Sequence, residues 1–183
     1  MVGKILKTTL LSFAAMAFLS CSKSLETTFN TQESNIDKFI TSMTKNYPDM
    51  VTTVNNNSYR ITIVPGSGPQ LLENGSVSFH YAGYIFSGSS LPNESSLFAT
   101  NKKSIMDTGK WNLSETDTTA LTVNIAKDEI VTGLKNGLCG IQEGEECYIV
   151  FSGKYGFGRK PYGTIPANSA LLYHIWAGKV NNE

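Results

Sequence analysis

Charged residues are scarce in this chain, and the two signs balance. Asp, Glu, Lys and Arg make up 16% of the sequence, with 15 basic and 15 acidic side chains. Residues 1–20 contain Lys4 and Lys7, so the chain without them has 13 basic and 15 acidic side chains, a net charge of −2. Proteins that bind nucleic acid carry a basic patch or stripe. The composition therefore predicts no nucleic-acid partner.

Histidine and cysteine are scarce too, with two and three residues respectively. His80 and His174 lie in strand-like runs, where position alone favours outward-facing or hydrogen-bonded side chains over metal ligands. Neither Cys139 nor Cys147 has a histidine at metal-ligand spacing, so the sequence predicts neither a metal site nor a cofactor. These two cysteines could pair in an oxidising compartment, or both could be small buried apolar residues, which we favour.

The apolar run near the N-terminus is too short to cross a bilayer. It extends from Thr8 to Phe18, whereas a membrane-spanning helix needs about 20 apolar residues. Lys4 and Lys7 precede it, and Leu19-Ser20-Cys21 follows it. A positive start, a short apolar core and a small residue at the end are typical of a secretory signal peptide. The sequence predicts such a peptide over residues 1–20.

Leu19-Ser20-Cys21 resembles the lipobox of bacterial lipoproteins, in which the cysteine is diacylated and becomes the first residue of the mature chain. The resemblance implies a lipid on Cys21 and attachment to a membrane outside the cytoplasm, at the cell surface or in the periplasm. Ser22 after this cysteine favours the outer membrane. Stable anchoring requires two lipid signals, which two acyl chains supply. The alternative is an ordinary signal peptide that ends in a chance cysteine.

The segment 21–58 is predicted to hold a tether followed by one helix. Residues 22–29 are polar and are predicted to be a linker. Asn30 and Glu33 have the spacing of a capping box, which favours a helix start. Helical spacing then predicts an amphipathic helix over 31–45, with the apolar positions Ile36, Phe39, Ile40 and Met43.

The pattern changes to a period of two after this helix. Alternation predicts strands at 59–64, 77–82, 121–125, 147–151 and 170–180, with a short helix within 129–139. Residues 87–120 lack periodicity and form a long insertion, whereas residues 153–168 form a loop rich in Gly and Pro. The prediction for 59–183 is an α+β domain with an antiparallel sheet.

Five segments, in order, resemble the FKBP-type peptidyl-prolyl cis-trans isomerase family. They are Gly75–Tyr84, Ile130–Leu134, Gly137–Gly144, Ser152–Gly158 and Gly163–Leu171. The resemblance implies an FKBP-like half-barrel, in which an antiparallel sheet wraps over a short helix. It also implies an enzyme that rotates X–Pro peptide bonds in proline-containing polypeptides.

The implied reaction needs no nucleophile and no cofactor. Rotation must break amide resonance, with a barrier of about 18–20 kcal/mol, and without catalysis it takes tens to hundreds of seconds. The twisted amide has less charge separation than the planar amide. An apolar cleft that excludes water therefore disfavours the planar ground state more than the transition state.

The resemblance also implies which residues form the cleft. The positions that match the family's catalytic residues are Tyr81, Phe98, Val131 through its backbone N–H, Phe157 and Tyr173. Those that match its substrate-binding residues are Val123, Ile130, Leu134 and Ile165.

Three positions depart from the family pattern. Ala99 stands where the family has Asp, Leu134 where it has Trp, and Phe157 where it has Tyr. The cleft should therefore be wider and more apolar, and binding of macrolide immunosuppressants should be weaker. The first functional hypothesis is an anchored isomerase that acts on exported proline-containing polypeptides. The alternatives are a chaperone or protein-binding module with little catalysis, and an adaptor whose 87–120 insertion covers the cleft.

Overall fold

The computed structural model describes the backbone of residues 2–108 and 118–183, and the side chains of 23–107 and 118–183. The Cys21 side chain and part of the predicted insertion, residues 109–117, lie outside the described residues. The chain divides into two compact units, residues 1–31 and residues 32–183. None of the described helices is both long and apolar enough to cross a membrane.

The described chain contains one long N-terminal helix, two short helices and seven strands. The helices are α1 (Val2–Asn46), α2 (Lys103–Thr108) and α3 (Thr132–Leu138). The strands are β1 (Val51–Asn55), β2 (Ser58–Val64), β3 (Ser76–Ile85), β4 (Leu97–Thr100), β5 (Leu121–Asn124), β6 (Glu146–Phe151) and β7 (Leu171–Asn181). Single turns of 3-10 helix lie at Glu94–Ser96 and Gly153–Tyr155.

One antiparallel sheet contains these strands in the order β1-β2-β6-β7-β3-β4, and β5 also pairs with β3. Helix α3 packs on β6 and β2. The main core lies between this helix and the sheet, where Leu138, Ile149 and Ile175 are fully buried. The predicted α+β half-barrel with an N-terminal helix is confirmed.

Glycines let α3 lie close to the sheet. A Cβ on Gly133 would collide with the ring of Phe151, and one on Gly137 would collide with the side chain of Ile149. Because Phe151 and Ile149 are fully buried, neither can move aside without disturbing the core. The glycines of the predicted motifs therefore bring the helix against β6.

Two side chains of β2 hold α3 at both ends. The Ser58 hydroxyl donates to the Gly133 carbonyl at 2.6 Å. The Arg60 guanidinium donates to the carbonyls of Gly137 and Cys139, each at 2.9 Å. Glu145 lies 3.0 Å from Nε of Arg60 and balances its charge in this buried place. The start of α3, which faces the cleft described below, is thus fixed relative to the sheet.

The part of α1 in the second unit covers the other face of the sheet. Ile36, Phe39 and Met43 are buried against a second cluster of sheet and loop residues that includes Val150 and Leu172. The helix predicted over 31–45 is confirmed, and its apolar stripe faces the domain.

The prediction of a linker at 22–29 is wrong, because α1 continues through these residues. The hydroxyls of Thr27, Thr28 and Thr31 donate to carbonyls four residues earlier, which satisfies them within the helix. No helix begins at Asn30, so the capping-box interpretation is wrong as well. Glu33 instead accepts a hydrogen bond from the hydroxyl of Ser152 at 3.3 Å.

Two strands, β1 and β4, were not predicted from the sequence. Strand β1 forms a hairpin with β2 through Asn56 and Asn57, both with positive φ, as tight hairpin turns require. Strand β4 lies inside the predicted insertion and pairs with β3. It is only four residues long, too short for a period of two to stand out.

Candidate functional site

A cleft of about 370 Å³ opens between the start of α3 and the loop at 153–168. Its walls are mainly aromatic and aliphatic. The predicted site residues that line it are Tyr81, Phe98, Ile130, Val131, Leu134, Phe157, Ile165 and Tyr173. Eight of the nine predicted residues thus come together in one place, although their roles stay predictions.

The aromatic rings of the cleft support one another. Phe98 meets Tyr173 edge-on at a centroid distance of 5.7 Å, and it meets Phe157 edge-on at 6.5 Å. Tyr81 lies 6.2 Å from Tyr173, and Phe151 stacks on Tyr173 from the core side at 6.0 Å. Such contacts add to area burial and fix ring orientations. The cleft is therefore preformed.

Asn101 helps to hold together strand β3, which carries Tyr81, and strand β4, which carries Phe98. The Tyr81 N–H donates to Oδ1 of Asn101 at 2.6 Å, and the Asn101 amide donates to the carbonyls of Phe79 and Thr119. The hydroxyl of Thr100 donates to the Tyr81 carbonyl at 2.6 Å. These bonds lock the end of β4 to β3. The sequence analysis did not single out Asn101, since a lone asparagine after a strand is usual in turns.

Helix α3 supplies the floor. Leu134 is 5% exposed and joins the main core from the first turn of the helix. Val131 is the residue before the helix, and Ile130 precedes it. Backbone N–H groups at a helix start have no partner within the helix. This placement is compatible with the predicted donation from the Val131 N–H to a substrate carbonyl.

The loop at 153–168 forms the outer lip. Phe157 and Tyr162 stack in parallel at 4.7 Å, and they are 37% and 63% exposed. Tyr162 and Ile165 exchange two backbone hydrogen bonds of 2.9 Å, which close the turn between these two residues. Tyr162 was missed by the sequence analysis because no pattern distinguishes it from other aromatic residues in loops.

Val123 is the one predicted site residue that does not line the cleft. It is 2% exposed and packs in the main core. Leu121, two residues earlier on the same face of β5, lines the cleft instead and is 43% exposed. The strand was predicted correctly, but the position on it was wrong by one period of the alternation.

The electrostatics of the cleft favour uncharged groups. Burial raises the pKa of the Tyr173 phenol well above its usual value, and burial also raises the pKa of Tyr81. Both phenols therefore stay neutral at physiological pH. Glu129, which the sequence analysis did not assign to the site, lies at the exposed rim. Among the described side chains, no three His, Cys, Asp or Glu residues form a group that could hold a metal ion.

The two cysteines of the domain are free thiols. Cys147 is fully buried in the main core, and burial raises the pKa of its thiol. Cys139 is partly buried and packs at the edge of the same core. Cys147 therefore fits the interpretation as a small buried apolar residue, whereas Cys139 is only partly buried.

The sequence profile of the family described as FKBP-type peptidyl-prolyl cis-trans isomerase matches residues 68–176. The chain belongs to this family. The chain is 30% identical over 124 residues to FK506-binding protein 1 of Aspergillus oryzae (strain ATCC 42149 / RIB 40), a match that covers 67% of this chain and 97% of that protein.

Three solved structures share the fold. FkpA from Escherichia coli superposes with a TM-score of 0.57 at 17% identity, over 96% of this chain and 71% of its own. A peptidyl-prolyl cis-trans isomerase from Pseudomonas syringae pv. tomato gives 0.53 at 17% identity, over 82% and 96%. The three FKBP domains of wheat FKBP73 give 0.55 at 13% identity, over 72% and 50%.

In this FKBP-type peptidyl-prolyl cis-trans isomerase, the cleft that the predicted site residues line is mainly apolar. All three departures from the family pattern line the cleft, namely Ala99, Leu134 and Phe157. The resemblance implies a carboxylate, an indole N–H and a phenol at these positions, and none of the three side chains present supplies such a group. What remains for rotation of the amide is an apolar environment and backbone donors.

Proposed function

We propose that this isomerase is anchored outside the cytoplasm by a lipid on Cys21 and acts on exported polypeptides that contain proline. The observation that carries the proposal is the order of features at the N-terminus. Two lysines, a short apolar run and Leu19-Ser20-Cys21 stand ahead of the domain that holds the cleft. A signal peptide would export the chain, and acyl chains would hold it beside newly exported proteins.

The charge distribution supports an anchor that works through acyl chains alone. Without residues 1–20, the chain has a net charge of −2. Attraction of a protein to anionic lipid takes a cluster of Lys and Arg, at about 1 kcal/mol per residue. A chain without such an excess has no electrostatic means of holding the surface. Attachment should therefore depend on Cys21.

The cleft supports an isomerase that works by desolvation and shape. A proline ring would lie among Tyr81, Phe98 and Tyr173, over Leu134. The partial charges of the planar X–Pro amide would lose water there, and the twisted amide would lose less. Each tenfold gain in rate requires only about 1.4 kcal/mol of such differential stabilisation. A weakly catalytic chaperone is the second candidate, and the loss of polar groups at Ala99 and Phe157 favours it.

The anchor is tested by metabolic labelling of the full chain with a fatty-acid analogue, followed by membrane fractionation. We expect label in the parent and in Cys139→Ser, and neither label nor membrane attachment in Cys21→Ser. Membrane attachment of unlabelled Cys21→Ser would contradict the proposal. A proline-peptide assay on the same preparations tests the activity independently. Turnover equal to buffer would favour the chaperone.

A further inference from the structure

The loop that forms the lip of the cleft has its two ends in contact. Gly153 opens the loop, Asn168 closes it, and the residues between them include Phe157 and Ile165. A Cβ on Gly153 would collide with the carbonyl oxygen of Asn168, so the two backbones touch. The position of the lip therefore depends on what holds Gly153 and Asn168 together.

One side chain from outside the loop bonds both ends. The Gly153 N–H donates to Oε1 of Gln32 at 2.8 Å, and Nε2 of Gln32 donates to the Asn168 carbonyl at 2.8 Å. A single primary amide thus uses its acceptor on one end of the loop and its donor on the other. Gln32 lies on α1, one turn before the buried Ile36, so the helix that covers the sheet carries this amide.

Apart from the Asn57 amide, which donates to the Tyr155 hydroxyl at 2.7 Å from the β1–β2 turn, the other hydrogen bonds of this loop are local. Asn168 donates its N–H to the Gly158 carbonyl at 2.8 Å, and the Gly156 N–H donates to the Gly153 carbonyl at 3.2 Å. These bonds shape the interior of the loop but do not tie it to the helix. The adjacent Glu33 accepts from Ser152 at 3.3 Å, just ahead of the loop. Gln32 is therefore the residue that fixes Gly153 and Asn168 to α1.

We propose that Gln32 is a positioning residue for the isomerase reaction, because it holds the loop in the arrangement that brings Phe157 and Ile165 to the cleft. The inference rests on the family activity, and it adds α1 to the parts of the protein that shape the substrate site. Without the amide, the loop would spend part of its time away from this arrangement. The apparent affinity for a proline peptide then equals the intrinsic affinity multiplied by the fraction of the protein in which the loop is in place.

The test compares Gln32→Met with Gln32→Glu and Ser34→Met in the full chain. Methionine keeps the length of glutamine and its helix propensity but can make neither bond. Glutamate keeps an acceptor for the Gly153 N–H and loses the donor to Asn168. Ser34→Met places the same side chain at an exposed position of the same helix. Hydrogen exchange of the Gly153 amide, peptide affinity, and KM and kcat are measured for each.

For Gln32→Met we expect about tenfold faster exchange at Gly153 and a KM about three- to tenfold higher, with kcat within twofold of the parent. Gln32→Glu should keep the Gly153 amide protected but still raise KM, and Ser34→Met should match the parent. A purely structural role would lower the amount of active enzyme at unchanged KM. That result, or parental exchange and KM in folded Gln32→Met, would overturn the proposal. Absence of turnover in the parent would count against the isomerase function alone, because exchange and peptide affinity are measured without turnover.

Discussion

The ring of Phe98 occupies the space where a Cβ of residue 83 would be. A methyl group on Gly83 would come within 2.6 Å of Cζ and 2.8 Å of Cε2 of Phe98, and within 3.2 Å of Cε1 of Tyr173. Gly83 is paired with Ala99 on one side and Tyr173 on the other. Gly83, which lies in the segment Gly75–Tyr84 that resembles the family, therefore makes room for the aromatic wall of the cleft.

Replacing Gly83 with alanine should damage the site more than the fold. Phe98 is only partly buried and meets the added methyl with the far end of its ring, so it can rotate away. We expect kcat/KM to fall about tenfold, with a loss of stability of about 1 kcal/mol. Proline-peptide assays and urea unfolding measure the two effects.

Gly133→Ala provides the matched control for Gly83→Ala. Here the added methyl would meet the fully buried ring of Phe151, which has nowhere to go. The expected cost in unfolding free energy is about 3 kcal/mol or more, at the upper end of overpacking. If Gly83→Ala lost as much stability as Gly133→Ala, the cleft-specific role of Gly83 would be wrong.

The two residues of β5 that share one face should separate binding from stability. Leu121→Ala removes an exposed wall of the cleft, so peptide affinity should fall about threefold to tenfold with little change in unfolding free energy. Val123→Ala leaves a cavity in the core and should cost about 1–3 kcal/mol, with peptide affinity nearly unchanged. Titration with a proline peptide and urea unfolding check both variants. The reverse pattern would restore the original prediction for Val123.

Leu121 and Val123 also show how much of the site could be predicted from the sequence. Alternation placed β5 correctly, and motif order placed the helix, the loop and most cleft residues. Alternation alone cannot say which of two apolar residues on one face is nearer the cleft, because that depends on the tilt of β5 against β3. Strand β5 pairs with only the first part of β3, whereas β7 runs along nearly all of it. Long-range pairing of this kind leaves no local signal.

Polar ties between distant segments were the other feature that the sequence could not reveal. Gln32 and Asn168 are 136 residues apart in the chain, and each alone is an ordinary surface-type residue. Asn101 is 20 residues from Tyr81, whose N–H it accepts. Side chains that satisfy backbone groups across the fold follow from the backbone path, which must be known first. The aromatic and glycine positions were easier, because packing and close approach restrict residue type.

Phe157 stands where the resemblance implies a tyrosine, so ligands that rely on a hydroxyl donor at the lip should bind more weakly. Phe157→Tyr adds a phenol at a position that is 37% exposed, where water can satisfy the hydroxyl in the absence of ligand. We expect affinity for a macrolide immunosuppressant to rise about threefold to tenfold, which is the net value of one hydrogen bond. Isothermal titration measures the change. The control is Phe29→Tyr, at a partly buried residue of α1 that does not line the cleft. An equal rise in macrolide affinity in both variants would contradict the placement of residue 157 at the ligand site.

The phenol of Tyr173 should make the domain sensitive to alkali. Burial raises the pKa of this group in the folded protein, whereas the unfolded chain titrates near pH 10. The unfolded state therefore releases its proton first, and stability that is fully present below pH 10 is lost as the pH rises toward the folded pKa. Relative to Tyr173→Phe, the parent should lose about 1.4 kcal/mol of unfolding free energy between pH 9 and pH 11. Urea unfolding at these two values measures the difference, with Tyr47→Phe as an exposed control that should follow the parent. Parallel losses in the parent and Tyr173→Phe would mean that the phenol ionises in the folded state as readily as in the unfolded chain, and the cleft would then be wetter than its apolar walls imply.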